Sequence, residues 1–380
     1  MNKKFVTLFP QAQNVHLRKG VGQIPYILYR DHNIDATLVC FQNENSYPGL
    51  QNDTPGLKLE FLNSRQKKSP LLASVKYLFA HAKNIDALHL FGQSRWTLIV
   101  GALYKLLNAK GVLFIKMDMN VQYLQRLMHS KYNSRHLIAW NYFFKNQVNF
   151  ISSEYAELTQ LLKSFYTISG DKIIQLPNGV DDKAIEKLPF KRNSFAEKEN
   201  IILYVGRVGA AEKNNEMLLS AASKIDLKNW KVYFVGPVEN SFQEKIDSFF
   251  KLHNSLKDKI IFVGEVIDFA QLCQWYNRSK IFCLTSLREG FPVVIPEAMY
   301  WGNYIVSTDV SSIKEALDFG EIGAVAEDEE KLVKHLQQLI DHPDEIEKIT
   351  ELSIKKAEQE YVWSKLGAKI YSKLQEEFPE

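Results

Sequence analysis

Two cations and two carboxylates in the second half of the chain have the types and spacings of an anion-binding site. After the apolar run IILYVG (201–206) the chain reads R-V-G-A-A-E-K-N-N, which sets Arg207 at a predicted strand end and Lys213 near the start of the following helix. Arginine offers a planar fork and lysine a point charge, so together they suit one diphosphate and can neutralise a leaving group as its charge develops. Further on, LTSLREGFPVVIPEAMYWGNYIVSTDV (284–310) holds Glu289 and Glu297 with Pro292 and Pro296 between them. The first-turn N–H groups of a helix have no partner inside it, so proline is tolerated there, and the pattern predicts a helix from about Pro292 or Val293 to Gly302. Its free N–H groups and positive dipole end then point back toward Gly290 and the strand ends, a seat for a phosphate. Glu289 just before the helix and Glu297 in its second turn flank that seat, and carboxylates accept hydrogen bonds from hydroxyl groups. A nucleotide sugar has this layout: ribose, two phosphates, sugar.

These residues need strands and helices to place them. A chain of 380 residues is expected to form two domains of about 150–200 residues each. Short apolar runs alternate with helical patterns, the signature of parallel sheets covered by helices. The first set is FVTLF (5–9), ATLVCF (36–41), ALHLF (87–91), GVLFIKM (111–117) and VNFISS (148–153). After Pro177-Asn178-Gly179 and a polar stretch the alternation restarts with IILYVG (201–206), WKVYFVG (230–236), KIIFVG (259–264), KIFCLTS (280–286) and YIVST (304–308). Three of these runs end in glycine, at Gly206, Gly236 and Gly264, where a residue without Cβ lets the backbone approach a phosphate or sugar beyond the strand ends.

Composition excludes several classes. The chain is 46% hydrophobic and 24% charged, as ordered globular proteins are. Three scattered cysteines, Cys40, Cys273 and Cys283, fit neither a disulfide framework nor a zinc site and point to a reducing cytosol. MNKKFVTLF reads as a first strand rather than a signal peptide, and no stretch reaches the roughly 18 to 20 apolar residues that span a bilayer. The net charge of +3 hides an asymmetry: residues 1–180 carry 21 Lys plus Arg against 10 Asp plus Glu, the remainder 26 against 34. The basic half is expected either to present an ordinary solvated face or to meet an anionic partner, a membrane surface or a phosphate-bearing substrate. Residues 120–150 mix aromatics with bases (Tyr123, Arg126, Trp140, Tyr142, Lys145), as membrane-surface segments and buried helix pairs both do. No D-x-D triplet occurs and the histidines lack ligand spacing, so neither a metal nor another cofactor is expected, and nucleic acid is not an expected partner.

The strand followed by GRVGAAEKNNEMLL, the glycine-ended WKVYFVG and the stretch S-x-R-E-G-F-P-V-V-x-P-E-A-M with Gly302 and IVSTDV together resemble the retaining glycosyltransferases of the GT-B fold, family 4, also called glycosyl transferases group 1. The resemblance is strong over 199–318, extends to the linker LPNGVD (176–181) and is looser in the N-terminal half. It implies two Rossmann-like α/β domains facing a central cleft: 1–177 for the acceptor, a linker 178–198, 199–360 for the nucleotide sugar, and a terminal helix 361–380 that crosses back to the first domain. In this reading Glu289 contacts hydroxyls of the transferred sugar, Glu297 holds the ribose, Arg207 and Lys213 bind the diphosphate, the N–H groups of Phe291 to Val293 complete the seat, and backbone near Val266 receives the nucleobase.

The same resemblance assigns a glycine-rich loop after the first strand to Lys19-Gly20-Val21-Gly22-Gln23, with Gly20 and Gly22 close to the donor. Many relatives carry a histidine after the fourth N-terminal strand, where this chain reads Phe114-Ile115-Lys116-Met117-Asp118, so Asp118 or Lys116 is the candidate for that catalytic place. The implied activity is metal-independent transfer of a hexose from a UDP- or GDP-sugar to an acceptor hydroxyl of a lipid-linked or cell-surface glycan, in polysaccharide biosynthesis at the inner face of the cell membrane. A sugar-nucleotide epimerase of the same fold and a catalytically degenerate binding partner are the rival readings.

Overall fold

The computed structural model describes residues 2–129 and 134–378, so residues 130–133 of the aromatic-basic stretch lie outside the described residues. The chain forms two units, Met1–Asn178 with Trp363–Glu380, and Gly179–Val362. The terminal helix Trp363–Glu377 therefore belongs to the first unit, and the segment 179–198 to the second.

In the first unit, β1 (Lys4–Leu8), β2 (Asp35–Cys40), β3 (Lys58–Phe61), β4 (Ala87–Phe91), β5 (Val112–Met117), β6 (Phe150–Ser153) and β7 (Ile173–Gln175) form one parallel sheet in the order β3-β2-β1-β4-β5-β6-β7. Successive side chains on a strand point to opposite faces. Leu88 and Leu90 join one core with the helices Pro70–His81, Arg95–Leu107, Ser134–Asn146 and Ala156–Tyr166. Ala87, from the opposite face of β4, joins a second core with Ile24, Ile27 and Leu28 of the helix Gly20–His32 and with Trp363, Leu366, Ile370 and Leu374 of the terminal helix. The chain returns from the second unit to complete the first one's core.

The second unit has β8 (Glu199–Val205), β9 (Lys231–Val235), β10 (Ile260–Gly264), β11 (Ser279–Leu284), β12 (Tyr304–Thr308) and β13 (Gly323–Ala326), all parallel, in the order β10-β9-β8-β11-β12-β13. Every strand named from the sequence is present to within two residues at each end. The three unforeseen ones, β3, β7 and β13, are four, three and four residues long. β3 is an edge strand reading KLEF, with two charged residues, and β13 reads GAVA, short and made of small side chains, so neither stands out.

Lys116 does not stand where it could meet a substrate. It is the fifth residue of β5, 1% exposed, and its Nζ donates to Glu154 Oε1 at 2.9 Å and to Leu176 O at 3.3 Å. Asn178 Nδ2 donates to the same carboxylate oxygen at 3.0 Å. An ammonium enclosed with its carboxylate is a structural charge, and this corrects the expectation that it takes the place of a catalytic histidine. The aromatic residues Trp140, Phe143 and Phe144 are likewise core side chains, not a surface. Lys116→Met leaves Glu154 buried without its counter-ion and is expected to cost about 3–5 kcal/mol, most of it recovered in the double variant Lys116→Met/Glu154→Gln. Urea unfolding of both variants checks this.

Candidate functional site

The strand order of the second unit runs outward in both directions from β8 and β11, so the segments leaving these two neighbours part company there. In open parallel sheets ligands bind outside the carboxyl ends at this switch point. The segment after β8 carries Arg207 and Lys213; the one after β11 carries Glu289.

The two segments are laced together. Leu287 N–H donates to Glu212 O at 2.8 Å, and Thr285 Oγ1 to Lys213 O at 3.1 Å. Across this seam Lys213 Nζ donates to Glu289 Oε1 at 2.5 Å, and Ser286 Oγ donates to the same oxygen at 2.8 Å. Asn214, in the left-handed region at φ 47°, lets the helix Asn215–Lys224 begin directly after Lys213. The Lys213 and Glu289 side chains are 21% and 16% exposed, so the pair is partly open to solvent. Arg207 is 56% exposed, and its fork is shared between Glu212 and Glu239 Oε1, the latter at 3.5 Å. Each cation thus has a carboxylate partner, which an incoming anion must replace.

Beyond Glu289 the helix is Val294–Tyr300, shorter and later than the prolines suggested: Val293 caps it, Pro292 precedes it and Pro296 is its third residue. Glu297 falls in the first turn, and its Oε2 accepts the Tyr276 hydroxyl at 2.7 Å. Tyr276 is itself held, its carbonyl accepting Lys198 Nζ at 3.3 Å and Asn303 Nδ2 at 2.8 Å. Burial pushes the Lys198 amine down to about 7. Ser312 Oγ donates to Gly290 O at 2.7 Å and pins the turn before the helix. Phe291 is buried with its ring 5.3 Å from that of Tyr361, and Pro292 is buried, so these two side chains anchor the segment; Gly290 and Val293 are half-buried. Val266 is half-buried after β10 and packs on the unit's core.

The structure gives the glycines packing tasks as well. A Cβ on Gly236, at φ 140°, would lie 2.0 Å from Gly206 O, so this glycine lets two strand ends pack backbone to backbone. Gly20 and Gly22 are not in a loop: they open the helix Gly20–His32, and a Cβ on Gly22 would lie 2.4 Å from Leu17 Cα. Asp118 stands exposed beyond β5. The sequence reading missed Glu212, Glu239, Ser286 and Tyr276. Glu212 adjoins Lys213, and Ser286 ends the run KIFCLTS, so both stand within quoted motifs; Glu239 and Tyr276 come from elements whose approach only the sheet order reveals.

Against known structures, the chain superposes on HepE of Anabaena in complex with UDP and glucose at TM-score 0.71 and 16% identity, over 99% of this chain and 100% of that one. A glycosyltransferase from Rickettsia africae gives TM-score 0.74 at 16% identity, covering 99% and 98%. The fold is GT-B: two parallel-sheet α/β domains. Residues 199–342 match the family model described as Glycosyl transferases group 1, and this part of the chain is a domain of that family. An α-1,4-N-acetyl-D-galactosaminyltransferase of Campylobacter jejuni, whose name gives a diNAcBac-PP-undecaprenol-linked glycan as its substrate, is 32% identical over 112 residues, 29% of each chain. An uncharacterized glycosyltransferase of Haemophilus influenzae is 25% identical over 233 residues, 56% of this chain and 62% of that one. The chain thus spans under two thirds of the length of these curated relatives.

Gly236→Ala is expected to force the Gly206 carbonyl aside, at roughly 2–4 kcal/mol of stability, whereas Gly264→Ala, whose Cβ would meet nothing within 4 Å, bears only the backbone strain of φ 83°. Comparing the two denaturation midpoints checks the assignment.

Proposed function

We propose that the protein is a retaining glycosyltransferase that moves a hexose from a UDP- or GDP-sugar to an acceptor hydroxyl of a lipid-linked or cell-surface glycan, with no metal. The observation that carries this reading is the Lys213–Glu289 pair joined across the switch point, with Arg207 on the same side of the seam. The diphosphate takes Lys213 and Arg207 from their carboxylates, and Glu289, so released, accepts hydroxyls of the sugar. Glu297 holds the ribose, backbone near Val266 receives the base, and N–H groups from Phe291 to Val293 add donors to the phosphate. Leaving-group charge then develops against two fixed cations, the electrostatic stabilisation that usually supplies the largest share of rate. The first unit receives the acceptor, with Asp118 as its catalytic candidate. The Anabaena and Campylobacter relatives, named for UDP and for an undecaprenol-linked glycan, support the donor and acceptor classes.

The test begins with thermal shifts against UDP, GDP, ADP, TDP and CMP, with and without EDTA. A ligand binding only the folded state adds about 2.7 kcal/mol at a hundred times its dissociation constant. One diphosphate is expected to raise the midpoint with EDTA present. Glu289→Ala and Arg207→Ala are expected to lower transfer at least about a hundredfold, the scale of a lost charge-stabilising contact, while leaving the melting point near that of the parent. Turnover retained in both variants refutes the assignment.

An anionic membrane surface is the proposed second partner, with the protein peripheral on the inner face of the cell membrane. Between residues 61 and 153 stand 13 Lys plus Arg against Asp86 and Asp118 alone. Phe79, Leu106, Ile138 and Tyr142 are exposed on three helices of this segment. Among the described residues no helix is long and apolar enough to cross a membrane. Co-sedimentation with phosphatidylglycerol vesicles at low ionic strength, lost near 1 M salt where the Debye length falls to about 3 Å, is the expected result; equal binding to phosphatidylcholine removes the proposal.

A further inference from the structure

The helix Phe269–Arg278 ends in a turn that is fixed from several sides. Lys198 Nζ donates to three carbonyls there, Tyr276 O at 3.3 Å, Asn277 O at 2.9 Å and Ser279 O at 3.1 Å. Asn303 Nδ2, beyond the end of the helix Val294–Tyr300, donates to Tyr276 O at 2.8 Å and to Ser279 O at 2.5 Å. Asn277 Oδ1 accepts the Asn193 N–H at 2.7 Å, and the Arg278 fork donates to both carboxylate oxygens of Glu199, at 2.6 and 3.0 Å. The last carbonyls of a helix have no partner inside it, and a cationic side chain suits them. Lys198 is only 6% exposed. Withdrawing a lysine amine from water is costly, and what it secures here is the backbone of Tyr276.

Tyr276 is 1% exposed, its ring centroid 5.8 Å from that of Phe282, in one core with Ile295, Ala298 and Met299 of the helix that carries Glu297. Its hydroxyl donates to Glu297 Oε2 at 2.7 Å. A buried phenol takes a hydrogen-bond partner, and the partner here is the carboxylate assigned above to the ribose. The terminal torsion of a glutamate is broad, and the carboxylate accepts at about four positions. A phenol held at one of them sets the plane in which the others point. The half-buried Glu297 is thereby oriented before a ligand arrives, so its ordering is not left to the binding step.

We propose that Tyr276 is a positioning residue of the donor site: by fixing the Glu297 carboxylate it makes the site select ribose over 2′-deoxyribose. The vicinal hydroxyls of ribose lie side by side and both reach an acceptor whose plane is set. An acceptor that can turn adapts to a single hydroxyl and discriminates less. Where a ligand lacks one of the two, a fixed acceptor stays unpaired, which is how a site built to bind a hydroxyl rejects the analogue without it. Lys198 and Asn303 act one step further out, through the backbone of Tyr276. The inference rests on the ribose role proposed for Glu297.

The test measures binding of UDP, GDP and their 2′-deoxy counterparts to the full chain by titration calorimetry, in the parent, Tyr276→Phe, Glu297→Gln and the double variant, with a melting midpoint for each. The parent is expected to bind UDP or GDP at least about tenfold more tightly than the deoxy counterpart, the scale of one hydrogen bond to a charged group. In Tyr276→Phe that ratio should fall about threefold or more, as contacting residues couple, through weaker binding of the ribonucleotide. In Glu297→Gln it should fall close to one, and the double variant should match Glu297→Gln, because the tyrosine acts only through the carboxylate. A tyrosine that merely fills the core would lower the midpoint and leave the ratio as in the parent. A ratio kept in Tyr276→Phe but lost in Glu297→Gln overturns the positioning role and leaves the ribose reading standing. A ratio kept in both variants, or a parent that binds ribo- and deoxynucleotide equally, overturns the ribose reading and the positioning role with it. A parent that binds neither UDP nor GDP overturns the donor reading itself, and this inference falls with it.

Discussion

A parallel sheet must be covered on both faces, because each strand returns through a crossover that lies on one face or the other. In this protein both sheets are wholly parallel, and alternate residues of β4 enter separate cores. The faces are used up by packing, and polar chemistry is confined to strand ends. At the carboxyl ends the chain is about to enter a helix, so segments there bring charged side chains and helix starts together. Arg207 and Lys213 follow β8, Glu239 follows β9, Val266 follows β10, Glu289 follows β11, and Asp118 follows β5. The sheet decides where a site can stand, and the segments decide what it does.

Burial then decides which ion pairs are structure and which are available for exchange. Lys116 and Glu154 are 1% and 0% exposed, and the pair is backed by Leu176 O and Asn178. Separating it would strand two charges away from water, at a cost of several kcal/mol. Lys213 and Glu289, in the segments beyond β8 and β11, keep 21% and 16% exposure. Water can follow each group as it changes partner, so exchanging a carboxylate for a phosphate there trades like for like. The same two residue types, lysine and glutamate, therefore brace one unit and open the other.

The sequence exposed this arrangement unevenly. Strands buried on both faces read as unbroken apolar runs, which is why ten of them could be named, while β3, β7 and β13 were too short or too polar to stand out. Lys213 and Glu289 could be singled out by their strand-end positions and by family resemblance, but their contact depends on β8 and β11 being neighbours, a pairing between segments 76 residues apart. The packing tasks of Gly22 and Gly236 were hidden for a related reason. A glycine without a Cβ is equally useful to a ligand and to another backbone, and only the tertiary contact with Leu17 or Gly206 distinguishes these cases. Lys116 misled because burial is not written in the residue type: FIKM reads as a strand with a cation near its end, and its partner Glu154 stands 38 residues on.

The two sheets share the order 3-2-1-4-5-6 from their first strands, with β7 added to one edge of the first. Their switch points differ in charge. In the second unit Arg207 and Lys213 face Glu212, Glu239 and Glu289, so both cations there are paired with carboxylates. In the first unit the strand ends carry Phe9 and Phe91, while that unit's segment 61–153 is strongly basic. The cations are carried mainly on helices, where charge acts at long range on encounter and orientation. The helices of this segment thus carry charge that acts at a distance, while the strand ends carry the short-range contacts.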